Sequence, residues 1–136
     1  GALSRVESPF ETVNYTYDYR LRKIKENKTI DETEFVTEWT YDSIDRVVSK
    51  KLPDGTTINY DYNNQGSLES ISDVIVSIEY NENSIVTDRT YINSISTKFE
   101  YDSENYRLSN IKTGDTQDLG YNYDKVGNIL LIEDSS

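Results

Sequence analysis

The sequence has no cysteine and no histidine in 136 residues. Without cysteine there is no disulfide framework, no thiolate metal site and no thiol nucleophile. Without histidine, Ser-His-Asp and Cys-His arrangements and histidine-based metal sites cannot be assembled within the chain. Long apolar runs are missing too. The longest is "NILLIED" (Asn128 to Asp134), and nothing reads as a signal peptide or a membrane span. Basic residues are few, 14 against 25 acidic ones, for a formal net charge of −11. A polyanion would be repelled at long range, so nucleic acid and heparin-like glycans are not expected partners. The acidity instead suits an extended β-surface that must stay soluble.

What the chain does have is tyrosine, twelve in all. Only 35% of its residues are aliphatic or aromatic and 29% are charged, a composition that raises the question of disorder. Aromatic and β-branched residues at regular spacing argue for a folded chain, about one domain in length. The segment "NYTYDYRLR" (Asn14 to Arg22) returns as "EWTYDSIDRV" from Glu38, "NYDYNNQGSL" from Asn59, "FEYDSENYRL" from Phe99 and "GYNYDKVGNI" from Gly120. Aligned on the second aromatic, Tyr17, Tyr41, Tyr62, Tyr80, Tyr101 and Tyr123 recur at roughly 18–24-residue intervals.

Each slot of the repeat has a physical reading. Two residues before the tyrosine stand Tyr15, Trp39, Tyr60, Ile78, Phe99 and Tyr121, which at spacing two share one strand face. Directly after it come Asp18, Asp42, Asn63, Asn81, Asp102 and Asp124, whose short side chains can accept a backbone N–H and open a turn. Leu21, Asp45, Gly66, Ser84, Asn105 and Gly127 follow, at the left-handed position that closes a type I turn with a bulge. An apolar residue then begins the return strand: Ile24, Val47, Leu68, Ile85, Leu108 or Ile129. Leu21 suits that left-handed position poorly and predicts a tighter first turn. The blurred return strand of the fourth unit predicts irregular pairing around 82–97.

The expectation is an all-β antiparallel meander of about six hairpin repeats, roughly a dozen strands and no helix, forming a twisted, curved sheet that is an open spiral or shell fragment. Residues 1–12 read as an N-terminal extension, with "GALSR" in the manner of a cloning scar, and the units as 13–31, 35–56, 57–75, 76–97, 98–118 and 119–134. Linking turns are expected at "LPDGT" (Leu52 to Thr56), "KENKT" (Lys25 to Thr29) and "KTGDT" (Lys112 to Thr116). Leu68 and Ile71, Leu108 and Ile111, and Ile129 and Ile132 are three apart. Strict alternation puts such pairs on opposite faces, so either a bulge intervenes or both faces are partly covered.

At "YTYDYRLRKI" (Tyr15 to Ile24), "YDSENYRLSNI" (Tyr101 to Ile111) and "YNYDKVGNILLIED" (Tyr121 to Asp134) the chain resembles the YD repeats of the Rhs family, and the resemblance runs from Val13 to Asp134. It implies a spiral β-sheet of the kind that closes into hollow shells in insecticidal toxin complexes, polymorphic bacterial toxins, wall-associated proteins and teneurins. In the toxins the shell holds a C-terminal effector, released by a separate autoproteolytic segment with aspartates in a motif containing proline and glycine. No such motif occurs here. Only the shell role carries over: a non-enzymatic segment of a larger secreted or cell-surface protein, partnered by the rest of its own polypeptide and such an effector. A run of repeats with open edges is also expected to pair edge to edge with a second copy.

The repeat aspartates offer carboxylate pairs in principle, and the acidic loops Asp42 to Asp45 and Gly114 to Asp118 offer oxygen ligands for calcium. Neither loop has EF-hand spacing, and hairpin turns account for the aspartates, so no catalytic residue, metal or cofactor is expected. The alternative function is a stand-alone carbohydrate-binding or adhesive module that stacks a glycan on exposed rings, with Trp39 the first suspect. The competing reading is a tyrosine ladder packed between hairpins. Asn14 and Asn27 each head an Asn-X-Thr sequon, which matters only in a host that glycosylates exported proteins.

Overall fold

The computed structural model describes all 136 residues, as thirteen strands and no helix. The chain forms two compact units, Gly1–Asp61 and Tyr62–Ser136. The first holds β1 (Arg5–Ser8), β2 (Glu11–Tyr17), β3 (Lys23–Ile30), β4 (Thr33–Tyr41), β5 (Val47–Lys51) and β6 (Thr57–Tyr62), at whose end the chain passes into the second. The second holds β7 (Leu68–Ile71), β8 (Ile75–Tyr80), β9 (Val86–Tyr91), β10 (Ser96–Tyr101), β11 (Leu108–Thr113), β12 (Gln117–Tyr123) and β13 (Ile129–Asp134). Within each unit sheet order follows chain order and every pairing is antiparallel, the meander expected from the repeat. β1 pairs with β2, so strand pairing begins inside residues 1–12.

The hairpins share one turn. In the first, the Asp18 N–H donates to Arg22 O (3.0 Å) and the Leu21 N–H to Asp18 O (3.0 Å). Asp42, Asn63, Asn81 and Asp124 repeat this pattern. The residue closing each such turn has positive φ: Leu21 (63°), Asp45 (70°), Gly66 (89°), Ser84 (60°) and Gly127 (98°). This is the three-residue loop of a type I turn with a left-handed bulge. The first turn is therefore the ordinary one, not a tighter one, because Leu21 itself takes the left-handed conformation. The fifth turn is longer by one residue, so Tyr106 (φ 57°) and not Asn105 is left-handed. A left-handed L-residue costs about 1–2 kcal/mol. Leu21 is 68% exposed and has little packing to lose. Leu21→Gly should therefore raise the unfolding free energy by about 0.5–1 kcal/mol in urea denaturation, after the extra flexibility of glycine in the unfolded chain is offset.

A bulge follows the turns at Asp18, Asp42, Asn81, Asp102 and Asp124. Tyr101 pairs with Leu108 but Glu100 with Asn110, which leaves Ser109 as the extra residue. Tyr123 pairs with Ile129 and Asn122 with Leu131, which leaves Leu130. One extra residue restores Leu108 and Ile111, and likewise Ile129 and Ile132, to the face of the tyrosines. Ile24, Val48 and Thr87 are the extra residues after Tyr17, Tyr41 and Tyr80. The irregular pairing expected around 82–97 lies in the β8–β9 ladder, where Thr87 is one extra residue and Val76, opposite Thr90 and Tyr91, is another, while β9 pairs regularly with β10. "KENKT" is not a turn. It lies within β3, and the chain reverses instead at Asp31 and Glu32, both with positive φ (44° and 63°). "LPDGT" and "KTGDT" do turn.

Only Val13 (6% exposed) and Ile78 (8%) are buried apolar residues, and Thr97 is buried with its hydroxyl 2.9 Å from that of Thr113. Burial is shared instead along one face of the sheet in each unit. Tyr15, Tyr17, Trp39, Tyr41, Tyr60, Tyr62, Tyr80, Phe99, Tyr101, Tyr121 and Tyr123 are half-buried, while Thr16, Thr40, Asp61, Glu79, Glu100 and Asn122 between them are exposed. β13 is exposed throughout.

Candidate functional site

The conserved geometry of the repeat is a lattice of turns and rings, and it is assembled from the turn outward. One carboxylate or amide oxygen holds each turn. Asp18 Oδ1 accepts the N–H of Arg20 (2.9 Å) and of Arg22 (3.0 Å). Asp42 does so from Ile44 and Arg46, Asn63 from Gln65 and Ser67, Asn81 from Asn83 and Ile85, Asp102 from Glu104 and Asn105, and Asp124 from Val126 and Asn128. An acceptor oxygen two residues ahead of an N–H is what a short side chain supplies, and aspartate and asparagine serve equally.

The second carboxylate oxygen is free for a cation. Asp18 Oδ2 lies 2.7 Å from Arg22 Nε and 2.6 Å from its Nη2, and Asp42 Oδ2 lies 2.7 Å from Arg46 Nε. Burial opposes ionisation of the Asp18 carboxyl, but the Arg22 guanidinium and the N–H groups of Arg22 and Arg20 outweigh it and hold the pKa below the usual 3.8. The same contest leaves Asp42 lowered, with burial again opposed by the N–H and side chain of Arg46. At Asp124 the Asn128 amide is the main cause of lowering. A carboxyl whose folded pKa is depressed contributes stability that is complete above the unfolded value and is lost as pH falls through the folded value. Thermal melts should therefore hold a constant midpoint from neutral pH to about pH 5, then drop as the pH passes below the ordinary carboxylate range.

Repeats are joined through the tyrosine hydroxyls. Tyr41 Oη donates to Lys23 O (2.7 Å), Tyr80 Oη to Leu68 O (2.7 Å) and Tyr101 Oη to Val86 O (2.9 Å). Lys23, Leu68 and Val86 each open the return strand of the preceding repeat. Tyr17 makes the same bond to Leu3 O (2.8 Å), so the N-terminal segment takes the place of a preceding return strand. Arginines add a second link that the sequence reading missed. Arg22 stands 4.8 Å over the Tyr41 ring and donates to Asp42 O (3.1 Å) and Asp45 Oδ1 (2.6 Å), while Arg20 reaches Ser43 O (3.0 Å). Arg107 stands 5.7 Å over Tyr123 and donates to Asp124 O (2.8 Å). The signal was present in "YRLR" and "ENYR", an arginine four or five residues after Asp18 and Asp102.

Asp18 and Asp45 meet on the Arg22 guanidinium, while Asp42, Asp102 and Asp124 bond their own turns. Asp45 faces Arg20 and Arg22, and Asp118 holds Lys112 (2.8 Å) and the Asn110 amide (2.9 Å). No group of three or more acidic residues is gathered at metal-binding geometry. Trp39 does not present an open ring: Lys23 Nζ lies 4.2 Å from its centroid and Lys50 Nζ 5.9 Å. The most exposed rings are instead turn residues, Tyr19 (89%), Phe10 (78%) and Tyr106 (55%). The sequon Asn14 is exposed on β2, while Asn27 is half-buried opposite it on β3.

Hairpins bonded to one another through ring, hydroxyl and turn define an all-β repeat scaffold. No protein-family model matches the chain, and no curated protein matches it in sequence. Among solved structures it resembles Rhs/YD-repeat shell proteins of toxin complexes. The TcdB2–TccC3 complex matches all of the chain with a TM-score of 0.85 at 20% identity, and so does the Photorhabdus luminescens Tc holotoxin pore. The crystal structure of TcdB2-TccC3-Cdc42 matches with a TM-score of 0.84, also at 20% identity. The likeness is one of fold, and the chain spans 8% of the length of these structures.

Proposed function

We propose that this chain is a non-enzymatic structural segment of a larger YD-repeat protein, secreted or displayed at the cell surface, whose repeats contribute to a shell enclosing or presenting another domain. The observation that carries the reading is the hydroxyl link between repeats. A unit whose tyrosine is satisfied only by its neighbour's return strand is built to be stacked, and stacked repeats gain stability from their interfaces. The exposed apolar strand β13, with Ile129 (53%) and Ile132 (51%) on the ladder face, is the surface that another hairpin would cover. The partner in this reading is the rest of the same polypeptide, including an effector domain. The unit boundaries at 13–31, 35–56, 57–75, 76–97, 98–118 and 119–134 belong to the same proposal, as does edge-to-edge pairing of isolated copies. The covered face of Trp39 tells against a glycan platform there.

Immunoblotting of host fractions with an antibody against this segment tests the reading. A very large exported band, above all with a cleaved fragment, is the expected result. A single band near the size of the 136-residue chain would overturn it and leave a stand-alone surface module as the better account.

A further inference from the structure

The repeat contains a seat for a guanidinium group, and in the third repeat the chain supplies no arginine to it. Arg22 shows the seat in the first unit: it stacks on the Tyr41 ring at 4.8 Å while Nη1 donates to Asp42 O at 3.1 Å. Arg107 shows it in the second, 5.7 Å over Tyr123, with Nη1 2.8 Å from Asp124 O and Nη2 3.5 Å from Lys125 O. In both, the parts are the ring of the next repeat's second tyrosine and the carbonyl of the residue after it. Arg22 is further anchored by the Asp18 carboxylate, whereas the Arg107 side chain bonds Asp124 O and Lys125 O and is joined to Asp102 only through its backbone, so the seat works without that anchor.

In the third repeat the residue at this position is Ser67, whose side chain is too short to cover the tyrosine that follows. A groove of about 440 Å³ lies there, lined by Asn63, Ser67, Glu79, Tyr80, Asn81 and Glu82 among others, with no lysine or arginine in its wall, whereas the equivalent groove of about 480 Å³ beside Tyr123 has Arg107 in its wall. Asn81 O accepts the Ser84 N–H (3.0 Å), as Asp42 O accepts the Asp45 N–H (3.3 Å) while also holding Arg22. A carbonyl oxygen has two lone pairs, so Asn81 O keeps one for a ligand. Glu82 lines the groove with negative charge, Glu79 adds more from the other face of β8, and Tyr80 is fixed by its bond to Leu68 O.

We propose that this groove binds a guanidinium group supplied in trans, that of arginine, either free or carried on another polypeptide. A planar guanidinium can stack on a ring and donate in its own plane to carbonyl and carboxylate oxygens at once, which an ammonium cannot. The seat does not depend on the larger protein to which the repeats belong.

The test is a titration of the ¹⁵N-labelled chain with N-acetyl-arginine-methylamide and, separately, N-acetyl-lysine-methylamide. Backbone shifts of Ser67 and Glu82 and side-chain amide shifts of Asn63 and Asn81 are the readout. The expected result is saturable change confined to the groove, with arginine binding about fivefold more tightly than lysine. Ser67→Arg, which fills the seat from within, should abolish binding. Glu79→Gln with Glu82→Gln should weaken it about threefold, and that variant decides the matter if Ser67→Arg does not fold. A glycine-flanked arginine peptide separates the sources: tighter binding than the capped residue assigns the seat to a chain, equal binding to a free guanidino compound, and both uphold it. Equal response to lysine, shifts spread over the acidic surface, or undiminished binding by the variants would overturn the proposal.

Discussion

Ile78→Ala should lower the unfolding free energy by about 3 kcal/mol, the middle of the range for deleting a buried aliphatic side chain. A domain of ordinary stability has about 5–15 kcal/mol in total, so the loss would be conspicuous. Ile78 occupies the slot two before the tyrosine, which elsewhere holds Tyr15, Trp39, Tyr60, Phe99 and Tyr121. It is 8% exposed, and it pairs across to Arg89 just past the Thr87 bulge. Few other side chains are comparably enclosed, so little neighbouring mass can collapse into the space it leaves. Ile132→Ala is the internal control. That isoleucine is 51% exposed on β13, and its truncation should cost less than about 1 kcal/mol. Urea denaturation of both variants is the measurement. Equal losses would mean that burial on this face is not what distinguishes the two positions.

The repeat was legible because the same residues do two jobs. Tyr-X-Tyr followed by Asp or Asn encodes a half-buried strand face and the acceptor that opens the next turn, and both signals fall in one short window. The three-residue spacing of Leu108 and Ile111 also carried its own answer, since one extra residue, Ser109, reconciles it with a single face. Other details were not legible, for physical reasons. Leu21 adopts a left-handed φ because the surrounding turn demands it, and local preference argues against it. One inserted residue in "DSENYR" moves the left-handed position from Asn105 to Tyr106, a shift that alignment by type conceals. "KENKT" looks like a turn because it is polar. In β3, however, its backbone is bonded to β2 on one side and to β4 on the other, so polar side chains are tolerated in the strand. The arginines escaped notice because their role lies between repeats: Arg22 and Arg107 act on the ring and carbonyl of the following hairpin, which no reading of one unit in isolation contains.

Tyr101 is where that coupling can be measured most directly. Its hydroxyl donates to Val86 O at 2.9 Å, joining the fifth repeat to the fourth, and burial raises its pKa above 10.0. A desolvated donor with a single backbone partner makes a hydrogen bond that water replaces poorly. Tyr101→Phe removes the hydroxyl, keeps the ring and strands the Val86 carbonyl. It should cost about 1 kcal/mol. Tyr101→Ala also removes a half-buried ring that shares its face with Phe99 and Leu108, for a total of about 3 kcal/mol, at the low end for an aromatic deletion because the ring is not fully enclosed. The two variants together divide the coupling into a polar and an apolar part. Amide hydrogen exchange then shows where each part is felt. If the hydroxyl couples repeats, Tyr101→Phe should speed exchange in β9, around Val86 to Tyr91, as well as in β10 itself. Faster exchange confined to β10, with β9 unchanged, would mean that the hairpins stand independently and that the hydroxyl bond only decorates their contact.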